Sequence, residues 1–177
     1  MDKRMEENQR VKTAIAIAFM ELLKNKSLEA ISISELTSRA KVSRMAYYRN
    51  FSAKLEIIQY FAEEIILKEI YHCFSTEELN FWSIEYGIAF FSTMKKYREQ
   101  ILLLNTKGYS GLILESFNKT NEELAGDMPS NSIRRYHLYY AAGASFNGVL
   151  VWLQNGCKES VEEIVNSIYS FFNWKCQ

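Results

Sequence analysis

A short basic and aromatic stretch, residues 43–54, carries side chains that could bind the bases of DNA. It reads SRMAYYRNFSAK. An arginine such as Arg44 can donate two hydrogen bonds to O6 and N7 of guanine, and Met45 and Ala46 can pack against thymine methyl groups. Tyr47 could donate to a base edge or to a phosphate. These four residues are therefore the predicted base-reading positions, and a solvated surface is the alternative for each.

Three hydroxyl groups and one further charge in the same region suit the DNA backbone. Ser32, Ser43 and Tyr48 could each donate a hydrogen bond to a phosphate. Lys54 would add a positive charge at the start of a helix, where phosphates bind. Such contacts position a protein on DNA without reading its sequence. Each residue could instead be a helix cap or a surface residue, whereas Phe51 is assigned to the core.

Two short helices joined by a tight turn are predicted to hold these side chains. Ser32 and Glu35 have the spacing of a capping box, in which the hydroxyl accepts a free N–H and the carboxylate reaches back. Ser43 offers a second N-cap after a turn at Lys41-Val42. The apolar residues expected on one face of the first helix are Ile33, Leu36 and Ala40. A helix-turn-helix of this kind places its second helix in the major groove.

As a set, these residues resemble the helix-turn-helix of the TetR family of bacterial transcriptional regulators (TetR/AcrR-like). Two positions depart from the family pattern: Lys41 stands where a glycine is usual, and Met45-Ala46 replaces a usual Gly-Thr pair. The altered pair concerns the operator sequence more than the fold. The matching elements, all in the first third of the chain, are Ser32, Leu36-Thr37, Ala40-Lys41-Val42-Ser43, Tyr47-Tyr48 and Phe51-Ser52-Ala53-Lys54.

The resemblance implies an all-α protein of about nine helices in two parts. A three-helix DNA-binding head would occupy residues 1–54, and a helical body that binds an effector and dimerises would occupy residues 55–177. It also implies a homodimeric repressor that a small apolar or aromatic molecule releases from a palindromic operator in double-stranded DNA. The alternative is a DNA-binding co-regulator or activator that works through protein partners and has no small-molecule response.

Composition independently favours a helical protein of the cytoplasm. Apolar residues make up 48% of the chain, there is one proline, and no stretch alternates as a surface strand would. No apolar run is long enough to span a membrane, and the charged start MDKRMEENQR is unlike a signal peptide. Three cysteines without a CxxC spacing suggest reduced thiols.

Charge is divided unevenly between the two parts of the chain. The head has 11 Lys/Arg and 6 Asp/Glu, a net charge of +5, whereas the body has 10 and 15, a net charge of −5. A basic end on an acidic body is expected when that end faces phosphate. An accidental division of surface charge is the alternative, and the helix-turn-helix favours DNA.

The body is rich in aromatic residues, which predict an apolar effector pocket with a few polar groups. Aromatic residues at helical spacing are also typical of a filled core, so the sequence leaves pocket and core open. The candidate ligand-binding residues are Trp82, Tyr86, Phe90, Tyr109, Phe117, Tyr136, His137 and Tyr140.

The last two helices of the body are predicted to form a dimer interface, because small residues there permit close helix approach. In the resembling family such helices pair across a two-fold axis, an isologous arrangement. The alternative is that they only cover the core of one protomer. The candidate interface residues are Tyr139, Gly143, Phe146, Asn147, Leu150, Val151, Ile164, Ile168 and Phe171.

Catalysis is not expected from this sequence. Only His72 and His137 are present, and there is no HExxH, glycine-rich phosphate loop or GxSxG. Adjacent carboxylates such as Glu63-Glu64 point about 100° apart on a helix and do not form a matched acid and base. No cofactor and no metal site are predicted.

Overall fold

The structure is a computed structural model that describes residues 3–74, 83–124, 126 and 128–174. Within these ranges the chain forms nine helices and no strand, which confirms the predicted all-α fold. The long helix α4 (residues 54–71) joins the head to the body. The head contains α1 (Lys3–Leu23), α2 (Ile33–Ala40) and α3 (Arg44–Asn50). The body contains α5 (Ile84–Lys96), α6 (Arg98–Thr106), α7 (Ser110–Leu124), α8 (Arg135–Gln154) and α9 (Val161–Trp174).

Helix α4 is continuous, but its hydrogen bonding changes along its length. Lys54–Tyr60 is α-helical, Phe61–Leu67 forms π-helical turns, and Lys68–Tyr71 is α-helical again. The apolar spacing predicts the helix but not the π-helical turns, since these depend on which backbone carbonyl each N–H selects. Ile57, Phe61 and Ile70 are buried along its length, and α4 packs on both α1 and α7.

Polar contacts also tie α4 to the helices on either side of it. The amide Nε2 of Gln9 in α1 donates to Glu64 at 2.9 Å, and the hydroxyls of Thr13 and Tyr60 are hydrogen-bonded at 2.9 Å. On the other side, the ammonium of Lys119 in α7 donates to Glu63 at 2.9 Å. Helix α4 is therefore held to both the head and the body.

One apolar core extends from the head into the body. In the head it contains Phe19 of α1, Leu36 of α2 and Phe51, which follows α3, and all are at most 4% exposed. The burial of Phe51 confirms its assignment to the core. Because each head helix contributes a large apolar side chain to the same core, the helix-turn-helix is held rigidly on α1.

The core of the body is a chain of contacting aromatic rings. The ring of Phe90 lies 5.6 Å from that of Phe117, which lies 5.9 Å from that of Phe146, and Phe91 lies 5.5 Å from Trp152. The assignment of Phe146 to the dimer interface is therefore wrong. It is 6% exposed, because it occupies the face of α8 that packs on α7.

The approach of α5 to α9 depends on a glycine. A Cβ atom at Gly87 would lie 2.9 Å from Cγ1 of Val165 and 3.0 Å from Cε2 of Tyr169. We expect Gly87→Ala to force these helices apart and to lower the free energy of unfolding by about 1–3 kcal/mol, as overpacking does. Urea denaturation followed by circular dichroism measures this change.

The matched control for this prediction is Gly148→Ala in α8, where no atom lies within 4 Å of the added Cβ. Alanine is the better helix former by about 0.5–1 kcal/mol, so this variant should be as stable as the parent or more so. Equal effects of the two substitutions would show that the close contact at Gly87 is not important for stability.

Among the helices of the described residues, none is both long and apolar enough to cross a membrane. Cys73 is exposed and Cys157 is half-buried, and both are free thiols. The third cysteine, Cys176, lies outside the described residues.

Candidate functional site

The exposed surface of α3 contains three of the eight side chains that were predicted to contact DNA. At 100° per residue, Arg44, Met45, Tyr48 and Arg49 lie within an arc of about 140°. All four are exposed, Met45 by 71% and Tyr48 by 63%. Ala46 lies beside them and is half-buried. The exposed α3 face, as we call these four side chains, combines two guanidinium groups with an apolar and a phenolic group.

Two serine caps fix the helices on either side of the turn. The hydroxyl of Ser32 accepts the backbone N–H of Glu35 at 3.2 Å, and that of Ser43 accepts the N–H of Ala46 at 3.0 Å. Both serines are exposed, and each hydroxyl hydrogen is left to donate to a phosphate. The Glu35 carboxylate does not reach back as expected, because it accepts from Lys26 at 2.6 Å.

The turn between α2 and α3 takes a left-handed conformation at Lys41, with φ 55° and ψ 41°. A lysine in this region carries a steric cost that a glycine would avoid. The turn is closed by two backbone bonds, from the N–H of Lys41 to Ser38 and from that of Val42 to Thr37. The backbone conformation is therefore one that a glycine adopts readily. The lysine adds an exposed charged side chain to the turn without changing the shape of the backbone.

Unlike Arg39 and Lys26, the two arginines of the exposed α3 face have no carboxylate partner within the described residues. Arg39 on α2 is paired with Glu21 at 2.7 Å, and Lys26 is paired with Glu35 at 2.6 Å. The ion pairs of the described residues include neither Arg44 nor Arg49. Sequence reasoning omitted Arg49, although its spacing of five from Arg44 places it at the edge of the same face.

The assignment of Tyr47 to base contact is wrong. Its side chain is only 2% exposed, with its ring 5.2 Å from that of Tyr48 and 6.1 Å from that of Phe51. Burial, followed by the proximity of Tyr48 and Glu56, raises the pKa of the Tyr47 hydroxyl. The residue lies on the opposite side of α3 from the exposed α3 face, so it supports the helix from within.

The ammonium group of Lys54 also has a different role from the predicted phosphate contact. It donates to the backbone carbonyl of Leu28, to that of Ile31 at 2.9 Å and to that of Glu29 at 3.4 Å. An ammonium has three donors, and all three are used here. Lys54 therefore ties the start of α4 to the connection between α1 and α2, and its charge does not extend toward DNA.

The body contains an apolar cleft of about 460 Å³ between α8 and α9, with α5 as its floor. Among the described residues, no charged side chain lines it. Three of the predicted ligand-binding residues, Tyr86, Phe90 and Tyr140, are in this cleft. The described residues of the lining are Tyr86, Gly87, Phe90, Phe91, Tyr140, Ala141, Ala144, Ser145, Gly148, Ser167, Ile168, Tyr169 and Phe171. Sequence reasoning missed the lining from α9, since nothing local shows that α8 and α9 flank the same helix.

The other predicted ligand-binding residues do not line this cleft. Phe117 is 2% exposed and packs behind the floor against Phe90. Tyr109 is half-buried at the start of α7, and Tyr136 and His137 are exposed, Tyr136 by 72%. These assignments are wrong for the cleft, since Tyr136 and His137 lie about one turn before Tyr140, the first α8 residue of its lining. Trp82 lies outside the described residues.

Buried tyrosines beside the cleft are held in their neutral form. Burial raises the pKa of Tyr71 to about 12 and that of Tyr86 well above its usual value. The Tyr71 hydroxyl donates to Oδ1 of the buried Asn121 at 3.0 Å. Burial raises the pKa of Tyr169 to about 12, and its hydroxyl donates to the carbonyl of Ser83. Such hydroxyls can donate hydrogen bonds, but they are poor general bases near neutral pH.

The predicted interface residues occupy several sides of α8 and α9. Val151 and Phe171 are more than half exposed, and Asn147 is exposed. Tyr139 is 43% exposed, but its hydroxyl donates to Glu122 on the α7 side. The half-buried members of the set are Gly143, Leu150, Ile164 and Ile168.

Comparison with known proteins identifies structural neighbours but no sequence family. No protein-family model and no curated protein matches this sequence. A solved structure of the dihydroxyacetone kinase operon activator DhaS superposes with a TM-score of 0.59 at 16% identity, covering 93% of this chain and 95% of that one. The fatty acid degradation regulator FadR from Bacillus halodurans gives a TM-score of 0.56 at 13% identity, covering 90% and 93%.

A putative fatty acid metabolism regulator from Clostridium perfringens gives a TM-score of 0.50 at 17% identity, covering 88% of this chain and 94% of that one. All three likenesses extend over nearly the full length of both chains. At these identities they bear on the fold alone: the chain has the all-helical fold of these regulators.

Proposed function

We propose that this protein is a sequence-specific DNA-binding transcriptional regulator of the TetR type, acting as a homodimeric repressor. The observation that carries the proposal is the exposed α3 face. It presents two arginines that have no carboxylate partner among the described residues, on the second helix of a helix-turn-helix whose opposite side is fixed in the core. Arginine donates to guanine edges in the major groove, and serine hydroxyls and backbone N–H groups at helix starts bind phosphates.

A second copy is needed for the head to read a palindrome. Two heads related by a two-fold axis would occupy major grooves separated by about 34–36 Å, one turn of DNA. The surfaces we assign to the pairing are the exposed side of α8, which has no Asp, Glu, Lys or Arg from Tyr136 to Gln154, and the adjoining part of α9 at Phe171. The neutral aromatic lining of the body cleft supports an apolar effector.

Release of DNA would follow from unequal binding of that effector to two arrangements of the heads. A ligand can shift an equilibrium only by its difference in affinity for the two states. Helix α4 suits the transmission of such a shift, because Tyr60 and Glu64 bond to α1 while Glu63 bonds to α7. A change in the body that moves α4 would alter the position of the head.

The proposed binding of two heads to one operator is tested by changing the spacing of its half-sites. Purified protein would first select its preferred duplex from its own upstream region, and five base pairs would then be inserted at the centre. Because the insertion turns one half-site to the opposite side of the DNA, we expect a loss of at least about tenfold in affinity, measured by fluorescence anisotropy.

An insertion of ten base pairs is the matched control, since it restores the facing of the half-sites. Equal binding to all three duplexes would contradict a rigid two-headed dimer. Operator binding that no small molecule alters, together with a stable protein partner, would instead favour the co-regulator or activator.

A further inference from the structure

The apolar cleft between α8 and α9 is only partly enclosed by one protomer. Its floor is formed by the buried side chains of Phe90 and Phe91. Its rim is formed by Tyr140 and Phe171, which are 63% and 55% exposed. Small-molecule sites usually cover about 70–90% of the ligand surface. With the described residues alone, a ligand on this floor would have one side in water, so the site is incomplete in the part of a single chain that the structure describes.

The rim continues into a wider face of α8 that has no charge. From Tyr136 to Gln154 the helix contains no Asp, Glu, Lys or Arg. An apolar surface of this kind usually marks a contact with another protein. At 100° per residue, one side of the helix contains the exposed residues Tyr136, His137, Tyr140, Ala144, Asn147, Gly148, Val151 and Gln154, whereas the exposed Tyr139 lies on another side.

The absence of charge on this face favours a second copy of the same chain as its partner. Across a two-fold axis each surface meets itself, so a charged residue near the axis would approach an identical charge. A neutral face with small residues at Ala144 and Gly148 avoids this repulsion and permits close approach. A partner seated there would also cover the rim at Tyr140 and Phe171.

The lining of the cleft indicates the kind of ligand. All of the described side chains that line it are uncharged, and its polar groups are hydroxyls such as those of Ser145 and Ser167. Burying an ionised group without a partner is costly, whereas an apolar molecule with a weak donor or acceptor is not penalised in this way. The matching ligand is therefore uncharged and largely aromatic or aliphatic.

We propose that this cleft is one half of a site for an uncharged apolar molecule, and that the same face of a second copy completes it. The inference rests on the proposed function for the existence of the dimer, and it adds that ligand binding and dimerisation are linked. Anything that binds the dimer more tightly than the monomer must stabilise the dimer by the same factor.

The test uses a matched pair of fluorescent probes with the full-length protein. N-phenyl-1-naphthylamine is neutral, and 8-anilinonaphthalene-1-sulfonate has the same aromatic framework with an added sulfonate. We expect the neutral probe to bind at least about tenfold more tightly than the sulfonate. Sedimentation equilibrium, with and without the neutral probe, should show dimers that dissociate less readily when the probe is present.

Two variants separate the cleft from the pairing surface. Val151→Glu lies on the uncharged face outside the cleft lining, and should give a folded monomer that binds the neutral probe at least about tenfold more weakly. Its control is Ile17→Glu, at an equally exposed apolar position on α1. Ala141→Leu, at a half-buried lining position that is not on the uncharged face, should fill the cleft and lose the probe, whereas Gly111→Leu, outside the lining and with open space at its Cβ, should not.

Each of several outcomes would overturn the inference. A monomeric parent protein, or a Val151→Glu protein that remains dimeric, would show that this face does not pair. A Val151→Glu monomer that binds the neutral probe as tightly as the parent would show that one protomer completes the site. Tighter binding of the sulfonate, or unchanged binding by Ala141→Leu, would place the probe elsewhere. Because none of these measurements involves DNA, a failure of the proposed regulatory function would be recognised separately.

Discussion

Arg44→Ala should lose most of its selective DNA binding while the protein stays folded. The guanidinium is exposed at the start of α3 and has no ion-pair partner among the described residues, so its removal leaves the core intact. A bidentate arginine–guanine contact contributes about 1–3 kcal/mol of discrimination. Fluorescence anisotropy with the selected duplex and a scrambled duplex should show the loss mainly for the selected one.

The matched control is Arg39→Ala, which removes the same charge from the head at a residue paired with Glu21. This variant should weaken binding to both duplexes by a similar and smaller factor, because a general charge does not read sequence. Equal effects of the two substitutions would contradict a base-reading role for Arg44. The thermal unfolding midpoints of both variants should match that of the parent.

Tyr47→Ala should have a large effect of a different kind, on stability. The side chain is 2% exposed and contacts Phe51 from inside the head. Truncation of a buried aromatic residue costs about 3–5 kcal/mol, a large part of the stability of a domain. Urea denaturation should therefore show a much lower free energy of unfolding, and DNA binding would be lost with the head.

Two companion variants distinguish this loss from a lost base contact. Tyr47→Phe keeps the ring and should preserve both stability and DNA binding. Tyr48→Ala removes a side chain that is 63% exposed, so it should alter DNA affinity with little change in stability. If Tyr47→Ala remained as stable as the parent but lost selective binding, the core assignment would be wrong.

The sequence was sufficient to predict the helical class and the helix-turn-helix, because their signals are local. Capping residues such as Ser32 and Ser43 act within one helical turn, and the apolar spacing that buries Leu36 depends only on helical periodicity. The left-handed conformation at Lys41 occurs at the position where the resembling family usually has a glycine.

The roles of Tyr47 and Lys54 could not be predicted in the same way. A tyrosine and a lysine suit both a DNA surface and an interior contact, and the choice depends on how α3 is rotated against α1. The carbonyl groups that bind Lys54 are 23–26 residues away in sequence. In the body, Phe90 could be assigned equally to pocket or core, and the structure places it at the boundary, as the floor of the cleft.

Reading of DNA by the exposed α3 face is tested most directly by the binding of the parent protein to two duplexes, titrated with salt. One is its selected duplex and the other is a scrambled duplex of the same composition. We expect tight binding to the selected duplex only, with an affinity that falls steeply as added salt weakens the phosphate contacts. Equal affinity for both duplexes, or no binding to either at low salt, would contradict the claim that the exposed α3 face reads DNA.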